Sequence, residues 1–321
     1  MIEYSIIIPH KNIPKLLQRC LDSIPLRDDL EVIVVDDNSN PSIVDFEHFP
    51  GMERPDTTVF FDKSGKGAGR ARNIGLEHAK GKWLLFADAD DYFNYCIRDI
   101  LSEYKKDESD IIFFSASSVD CETYNNVDRA DYIVAFINRY LSNPEAGEKY
   151  LRYDHGAPWG KIIKKSLIDQ HKIRFQETRQ HEDTKFSYSV GFYADKIKVD
   201  KRAMYCLTYR PSSMTFTISE EKMLDRVRVL CERYVFLKSH NISLPNIALY
   251  VEPLADIKER GETDIYAKCL RILPDFSISI TEAEKLVKSE LNRRKKMRRE
   301  DFFSKVRDRL AIRTRIRKLF R

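Results

Sequence analysis

Through the first 115 residues, short runs of β-branched and aromatic side chains alternate with stretches whose apolar residues recur at helical spacing. Residues 3–8, 31–36, 57–62, 82–87 and 110–115 read as strands. Between them, 13–24 places Leu16, Leu17, Cys20, Leu21 and Ile24 on one helical face, and 69–79 follows as a second helix. Such β-α-β alternation predicts an α/β fold, a mostly parallel Rossmann-like sheet flanked by helices on both faces. Ligands of open sheets of this kind bind beyond the carboxyl ends of the strands. Three segments are thereby marked as candidate site: 9–12, 37–40 and 88–91.

The pattern loosens after residue 95. A helix is expected over 128–141, a loop over 155–161, a helix over 183–193 and a strand over 203–209. From 219 the chain reads as helical, first over 219–238, where Ser219 is placed to cap and Glu220 and Glu221 form an acidic first turn. A weaker helical stretch covers 244–280. With 42% apolar residues in 321, the chain can bury one large core and an appendage.

No apolar run approaches the roughly 18–20 residues of a membrane span, and the N-terminus lacks the pattern of a secretory signal. A cytoplasmic protein is expected, either free or peripheral on the inner face of the cell membrane. The six cysteines are widely spaced, which points to neither a zinc site nor a disulfide framework. The net charge of +5 is uneven: 285–321 holds 16 Lys/Arg against 4 Asp/Glu, about +12, leaving about −7 on 1–284.

The carboxylates Asp88, Asp90 and Asp91 come directly after the apolar Leu84-Leu85-Phe86-Ala87. Oxygen clusters of this kind hold Mg²⁺ or Mn²⁺, which complete their shells with water and substrate phosphates. The alternative is that Asp90 or Asp91 caps the next helix. Asp36-Asp37-Asn38-Ser39 likewise closes a buried strand, either as a turn or as a contact for a base or ribose. A glycine loop, Gly65-Lys66-Gly67-Ala68-Gly69, then leads into a helix bearing Arg70 and Arg72. Its spacing does not meet the dinucleotide-binding pattern, which disfavours a nicotinamide enzyme.

Taken together these segments resemble family 2 glycosyltransferases. The motifs are Ile7-Ile8-Pro9-His10-Lys11-Asn12, Val34-Val35-Asp36-Asp37-Asn38-Ser39, Ala71-Arg72-Asn73-Ile74-Gly75-Leu76 with Ala79 and Gly81, and Asp88-Ala89-Asp90-Asp91. Ala157-Pro158-Trp159-Gly160-Lys161 resembles the family's acceptor-side segment, Glu182-Asp183 its E-D motif, and Tyr209-Arg210 with Ser213 and Thr215 the segment closing the catalytic domain. The resemblance covers about two thirds of the chain. It implies a GT-A fold over 1–215, with a nucleotide-sugar half (1–95) and an acceptor half (96–215); the helical pattern and the charge count add a helical extension (216–284) and a basic amphipathic tail (285–321).

By the same resemblance, Pro9 and Asp37 lie against the nucleoside, Asp88 contacts the donor, Asp90 ligates Mn²⁺ or Mg²⁺, and Asp183 is the general base. Trp159 and Glu182 belong to the acceptor side. Arg72 either contacts the donor or pairs with a neighbouring carboxylate. His10, His155 and His181 read as structural, with His181, directly before the E-D pair, the first candidate for an exception. Two departures stand out: Lys11 replaces the usual aromatic beside the base, and no proline follows Asp91. The absence of membrane spans and of a Q-x-x-R-W motif points to single additions.

The activity implied is inverting transfer of a sugar from a nucleotide diphosphate, UDP by default, to a glycan or lipid-linked acceptor in cell-surface polysaccharide synthesis. A sugar nucleotidyltransferase and a catalytically silent scaffold are the rivals; the first lacks its glycine-rich loop after the opening strand. For the tail, Phe302, Phe303, Val306, Leu310, Ile312, Ile316, Leu319 and Phe320 fall on a helical arc among cations, broken by Arg309 and Arg313. An anionic membrane surface is the preferred partner. Nucleic acid, or packing on the protein itself, is the alternative.

Overall fold

The computed structural model describes residues 1–210, 219–245 and 248–319, with side chains as far as residue 300. Ser213, Thr215 and the apolar side chains of the tail lie outside the described part. Two compact units, Met1–Ile218 and Ser219–Arg321, each enclose their own core.

In chain order the first unit contains β1 (Tyr4–His10), α1 (Pro14–Asp22), β2 (Leu30–Asp37), β3 (Thr57–Asp62), α2 (Ala68–His78) and β4 (Trp83–Phe86). Next come β5 (Tyr92–Phe93), α3 (Ile97–Glu103), β6 (Ile111–Asp120), α4 (Asp131–Ser142) and α5 (Pro144–Tyr153). The unit closes with β7 (Lys161–Lys164), α6 (Lys165–Gln170), α7 (Thr184–Tyr193) and β8 (Ile197–Tyr209). One eight-stranded sheet has the order β3-β2-β1-β4-β7-β6-β8-β5. The pairings β2–β3, β1–β2, β1–β4 and β6–β8 are parallel. Those of β7 with β4 and β6, and of β5 with β8, are antiparallel. The sheet is therefore mixed, and the expected parallel arrangement is unbroken only across β3-β2-β1-β4.

Every residue of β1 is buried, as is nearly all of β2. That is the state of strands covered on both faces, and it explains their continuous apolar runs. Pro14 opens α1, where a missing amide costs no hydrogen bond, and Leu17, Cys20 and Leu21 face the core. Because β2, β1 and β4 are adjacent and parallel, their carboxyl ends share one edge. The three marked segments meet there.

Several elements escape the periodicity. β5 is two residues long, and the chain turns directly from the acidic loop into its pairing with β8, where the family's proline is absent. β7 begins at the last residue of the expected 155–161 loop and runs on through 162–164, where no element is expected. β8 starts at Ile197, before the expected 203, because its first half is only partly buried and carries Lys198, Asp200 and Lys201. The small residues Ser115, Ala116, Ser117 and Ser118 continue β6 by pairing with β8.

The second unit is helical: α8 (Glu220–Ser239), α9 (Val251–Glu259), α10 (Thr263–Ile272) and α11 (Ile280–Leu319). The Ser219 side chain accepts from the Lys222 amide, capping α8 as its sequence predicts. The stretch read as one weak helix over 244–280 is broken at Gly261, whose φ of 76° ends α9. Val227, Cys231, Leu254, Ile257 and Val287 are fully buried in this core. Since Val287 and the turns around it belong to α11, the expected boundary between 284 and 285 falls inside one continuous helix. Among the described residues no helix is long and apolar enough to cross a membrane.

Candidate active site

The loops after β1 and β2 are built as one piece. Asp36 accepts from His10 Nδ1 at 2.8 Å and from the Ser39 amide and hydroxyl. His10 Nε2 accepts from the Ile13 amide at 3.1 Å, so the ring turns its Nδ1 proton to Asp36. Ser39 Oγ accepts from the Asn12 amide at 2.8 Å. Burial would raise the Asp36 carboxyl, but the hydrogen bonds from His10 and Ser39 hold it below the usual range.

Pro9 is buried in β1. The next carboxylate, Asp37, is only 3% exposed. Lys11 Nζ donates to its Oδ2 at 2.9 Å and the Gly67 amide to its Oδ1 at 2.9 Å. The lysine that replaces an aromatic therefore pairs with Asp37. Gly67 reaches Asp37 with a φ of 94°, a conformation that side-chain-bearing residues avoid.

From the start of α2, Arg72 and Asn73 diverge to different tasks. Asn73 accepts from the Phe175 amide at 2.9 Å and donates to the Phe175 carbonyl at 3.0 Å, clamping a segment about a hundred residues away. At Gly69 a Cβ would overlap the Gln176 carbonyl oxygen, so only glycine lets this segment approach. Arg72, 4% exposed, donates to Asp88 Oδ1 at 2.6 Å and to Glu182 Oε1 at 2.8 Å. Arg72 is thus paired with two carboxylates.

Asp183 stands beside Glu182, at the N-cap position of α7, but its side chain makes no capping hydrogen bond. Burial, Glu182 and Asp88 raise it against the pull of Arg72, to about 7. Asp88 is itself raised, because burial and the charges of Asp90 and Glu182 outweigh Arg72.

The acidic loop divides by direction. Asp91 points inward: it is 5% exposed, accepts from the Thr208 amide at 2.7 Å, and burial with the charges of Asp90 and Asp88 pushes it well up. Asp90 stays partly open, with Arg210 Nη2 at 2.9 Å from its Oδ2. Its backbone carbonyl accepts from Arg19 and from the Thr208 hydroxyl. Neither residue caps a helix, since α3 begins later with Cys96 at its N-cap. The Asp88 amide donates to the Tyr205 hydroxyl at 2.8 Å, and Trp159, itself 6% exposed, stacks on the Tyr205 ring at 5.3 Å.

Beneath the site lies Lys161, 3% exposed, donating to the His155 carbonyl at 2.7 Å. Burial lowers it to about 7, partly offset by Asp183. Burial and Lys161 also hold the His155 ring neutral. His181 has a φ of 57° and its carbonyl accepts the Thr184 amide, a backbone role at the start of α7. Lys161 closes the motif that resembles an acceptor-side segment, whereas the sequence marks Arg19, Thr208 and Tyr132 for no role in the site. Arg19 and Thr208 reach the loop from 71 and 118 residues away, and no local pattern marks them.

Among the described residues, no group of three or more His, Cys, Asp or Glu side chains is arranged to hold a metal by itself. The site nevertheless sets four carboxylates, Asp88, Asp90, Glu182 and Asp183, against two guanidiniums, Arg72 and Arg210. That surplus, with an Asp90 oxygen that bonds no partner among the described residues, suits a cation that takes its remaining ligands from phosphate and water.

The family model described as Glycosyl transferase family 2 matches residues 5–172, more than half of the chain. EpsJ of Bacillus subtilis, an uncharacterized glycosyltransferase, is 27% identical over 226 residues, which are 66% of this chain and 62% of that protein. The chain thus spans less than two thirds of that relative. TarS of Staphylococcus aureus, a poly(ribitol-phosphate) beta-N-acetylglucosaminyltransferase, is 26% identical over 218 residues, 65% of this chain and 36% of its own. The crystal structure of TarS 1–349 in complex with UDP-GlcNAc superposes with a TM-score of 0.61 at 22% identity, covering 86% of this chain and 80% of that one. This likeness bears on the fold. The chain belongs to glycosyl transferase family 2 and has the GT-A fold, with a helical C-terminal region.

Proposed function

We propose that this protein is an inverting glycosyltransferase that moves a sugar from a nucleotide diphosphate donor, UDP by default, to a hydroxyl of a glycan or lipid-linked acceptor in cell-surface polysaccharide synthesis. The observation that carries the reading is Asp183, a carboxylate raised to about 7 that is spent on no helix cap. A base tuned near the working pH takes a proton most effectively in the transition state. As the acceptor oxygen bonds to the anomeric carbon, the bond to the diphosphate breaks and the hydroxyl proton passes to Asp183.

Pro9 and Asp37 border the nucleoside, where each Asp37 oxygen keeps a lone pair beyond its bond to Lys11 or Gly67. Asp88 faces the donor. Arg72, held between Asp88 and Glu182, orients both carboxylates and lies beside the donor. Glu182 serves the acceptor side, and Trp159 supports it from within by backing Tyr205. Asp90 would hold Mn²⁺ or Mg²⁺, which would neutralise charge growing on the departing diphosphate. The solved mannosyltransferase PcManGT from Pyrobaculum calidifontis, in complex with GDP-Man and Mn²⁺, shares the fold with a TM-score of 0.52.

Residues 285–321 are proposed to hold the enzyme against an anionic membrane surface, and binding of nucleic acid is not proposed. The test of the catalytic assignment is Asp183→Asn. UDP affinity should be retained while transfer slows by at least about 10²-fold. Unchanged transfer removes Asp183 as base.

A further inference from the structure

The start of α4 is tied to the acidic loop by a short chain of hydrogen bonds. Arg129 Nη1 donates to the Thr208 carbonyl at 2.6 Å, and the Thr208 amide donates to Asp91. On the other side, the Ser118 hydroxyl donates to the Val127 carbonyl and accepts from the Ala130 amide, fastening the same turn to β6. Three residues beyond Arg129 stands Tyr132.

Tyr132 is 44% exposed, a large open surface for an aromatic ring so near charged groups. Burial and the charges of Asp183, Asp88 and Asp91 raise its hydroxyl above the ordinary tyrosine range, against Arg129. The side chain thus lies within electrostatic reach of those carboxylates while part of its surface remains open. Phe136 meets the ring edge-on at 5.9 Å and stacks in turn on Tyr150, which gives it a rigid backing. The mechanism described above makes no use of this side chain.

We propose that Tyr132 is the platform on which the acceptor's sugar ring stacks, placing a sugar hydroxyl beside Asp183. The proposal rests on the glycosyltransferase reading and adds the acceptor's chemical class at the reacting end. A pyranose has an apolar C–H face and a polar rim, and an aromatic body with a polar tip complements both. The donor's nucleoside is assigned to the ends of β1 and β2, whereas Tyr132 comes from the acceptor half. Trp159 cannot take this part, since it is buried and already stacked on Tyr205.

The test uses the full chain with UDP and, as acceptor probes, methyl β-glycosides of glucose, galactose and N-acetylglucosamine. Saturation-transfer NMR should show contact at the ring C–H protons of at least one glycoside, lost in Tyr132→Ala and kept in Tyr132→Trp. In transfer assays, Tyr132→Ala should raise the acceptor KM by about 10-fold, while UDP affinity is unchanged. An unchanged acceptor KM, or an equal loss of UDP affinity, overturns the platform. If UDP binds but no glycoside makes contact, the platform alone falls. If the wild-type chain binds neither UDP nor GDP, with or without Mn²⁺, the glycosyltransferase reading falls and takes the platform with it.

Discussion

At Asp183 burial, Glu182 and Asp88 act against Arg72, and the carboxyl comes to rest at about 7 rather than its ordinary 3.8. A carboxyl raised in the folded state binds its proton more readily there than in the unfolded chain. Its stabilising contribution is therefore complete below the unfolded value and is lost as pH rises through about 7. Asp183→Asn has no charge to bury, so its Tm relative to wild type should climb between about pH 4 and about pH 7 and level off above. Scanning calorimetry checks this, and a Tm difference that ignores pH contradicts it. Asp90→Ala should keep the protein folded and abolish any gain in UDP affinity from Mn²⁺, as read by calorimetry. A gain equal to that of wild type rejects Asp90 as ligand. In the sequence, Asp88 and Asp90 stood out by their place after an apolar strand, whereas Asp183 was visible only through its resemblance to an E-D motif. Arg19, Thr208 and Tyr132 were not visible at all, because each acts across the fold from a position with no local pattern.

Among the elements, those with strong periodicity were legible and those set by tertiary pairing were not. β1 and β2 are buried throughout and announce themselves as apolar runs, while β5, β7 and the first half of β8 exist because a neighbouring strand offers them partners. The motif around Arg72 and Asn73 is equally architectural. Asn73 holds both backbone groups of Phe175, and Arg72 passes over the Phe175 ring at 5.3 Å on its way to the carboxylates. Asn73→Ala leaves a buried amide and carbonyl unpartnered, at a cost of about 1–3 kcal/mol for each group. Urea unfolding should show the midpoint falling accordingly. A change within error would mean that the segment from Phe175 to Asp183 is held by other contacts.

For the whole molecule, the tail is the part where sequence and structure pull in different directions. Arg294 bonds Asp256 and Glu290, and Arg298 bonds Glu259, so some of the cations between 285 and 300 are paired within the second unit. From 301 to 321 the sequence adds eight Lys/Arg against two Asp. Removing 301–321, which leaves those pairs intact, should abolish sedimentation with anionic liposomes at low salt, where attraction is least screened. Full-length protein that ignores such liposomes rules out the membrane assignment. The central claim is that Asp183, tuned by the carboxylates gathered around Arg72, takes the proton of the acceptor. The pH profile of kcat tests it most directly. With Asp183 as the base, kcat climbs through an apparent pKa of about 7 to a plateau, and Asp183→Asn loses this limb while binding UDP as before. The same limb in Asp183→Asn as in wild type would contradict it.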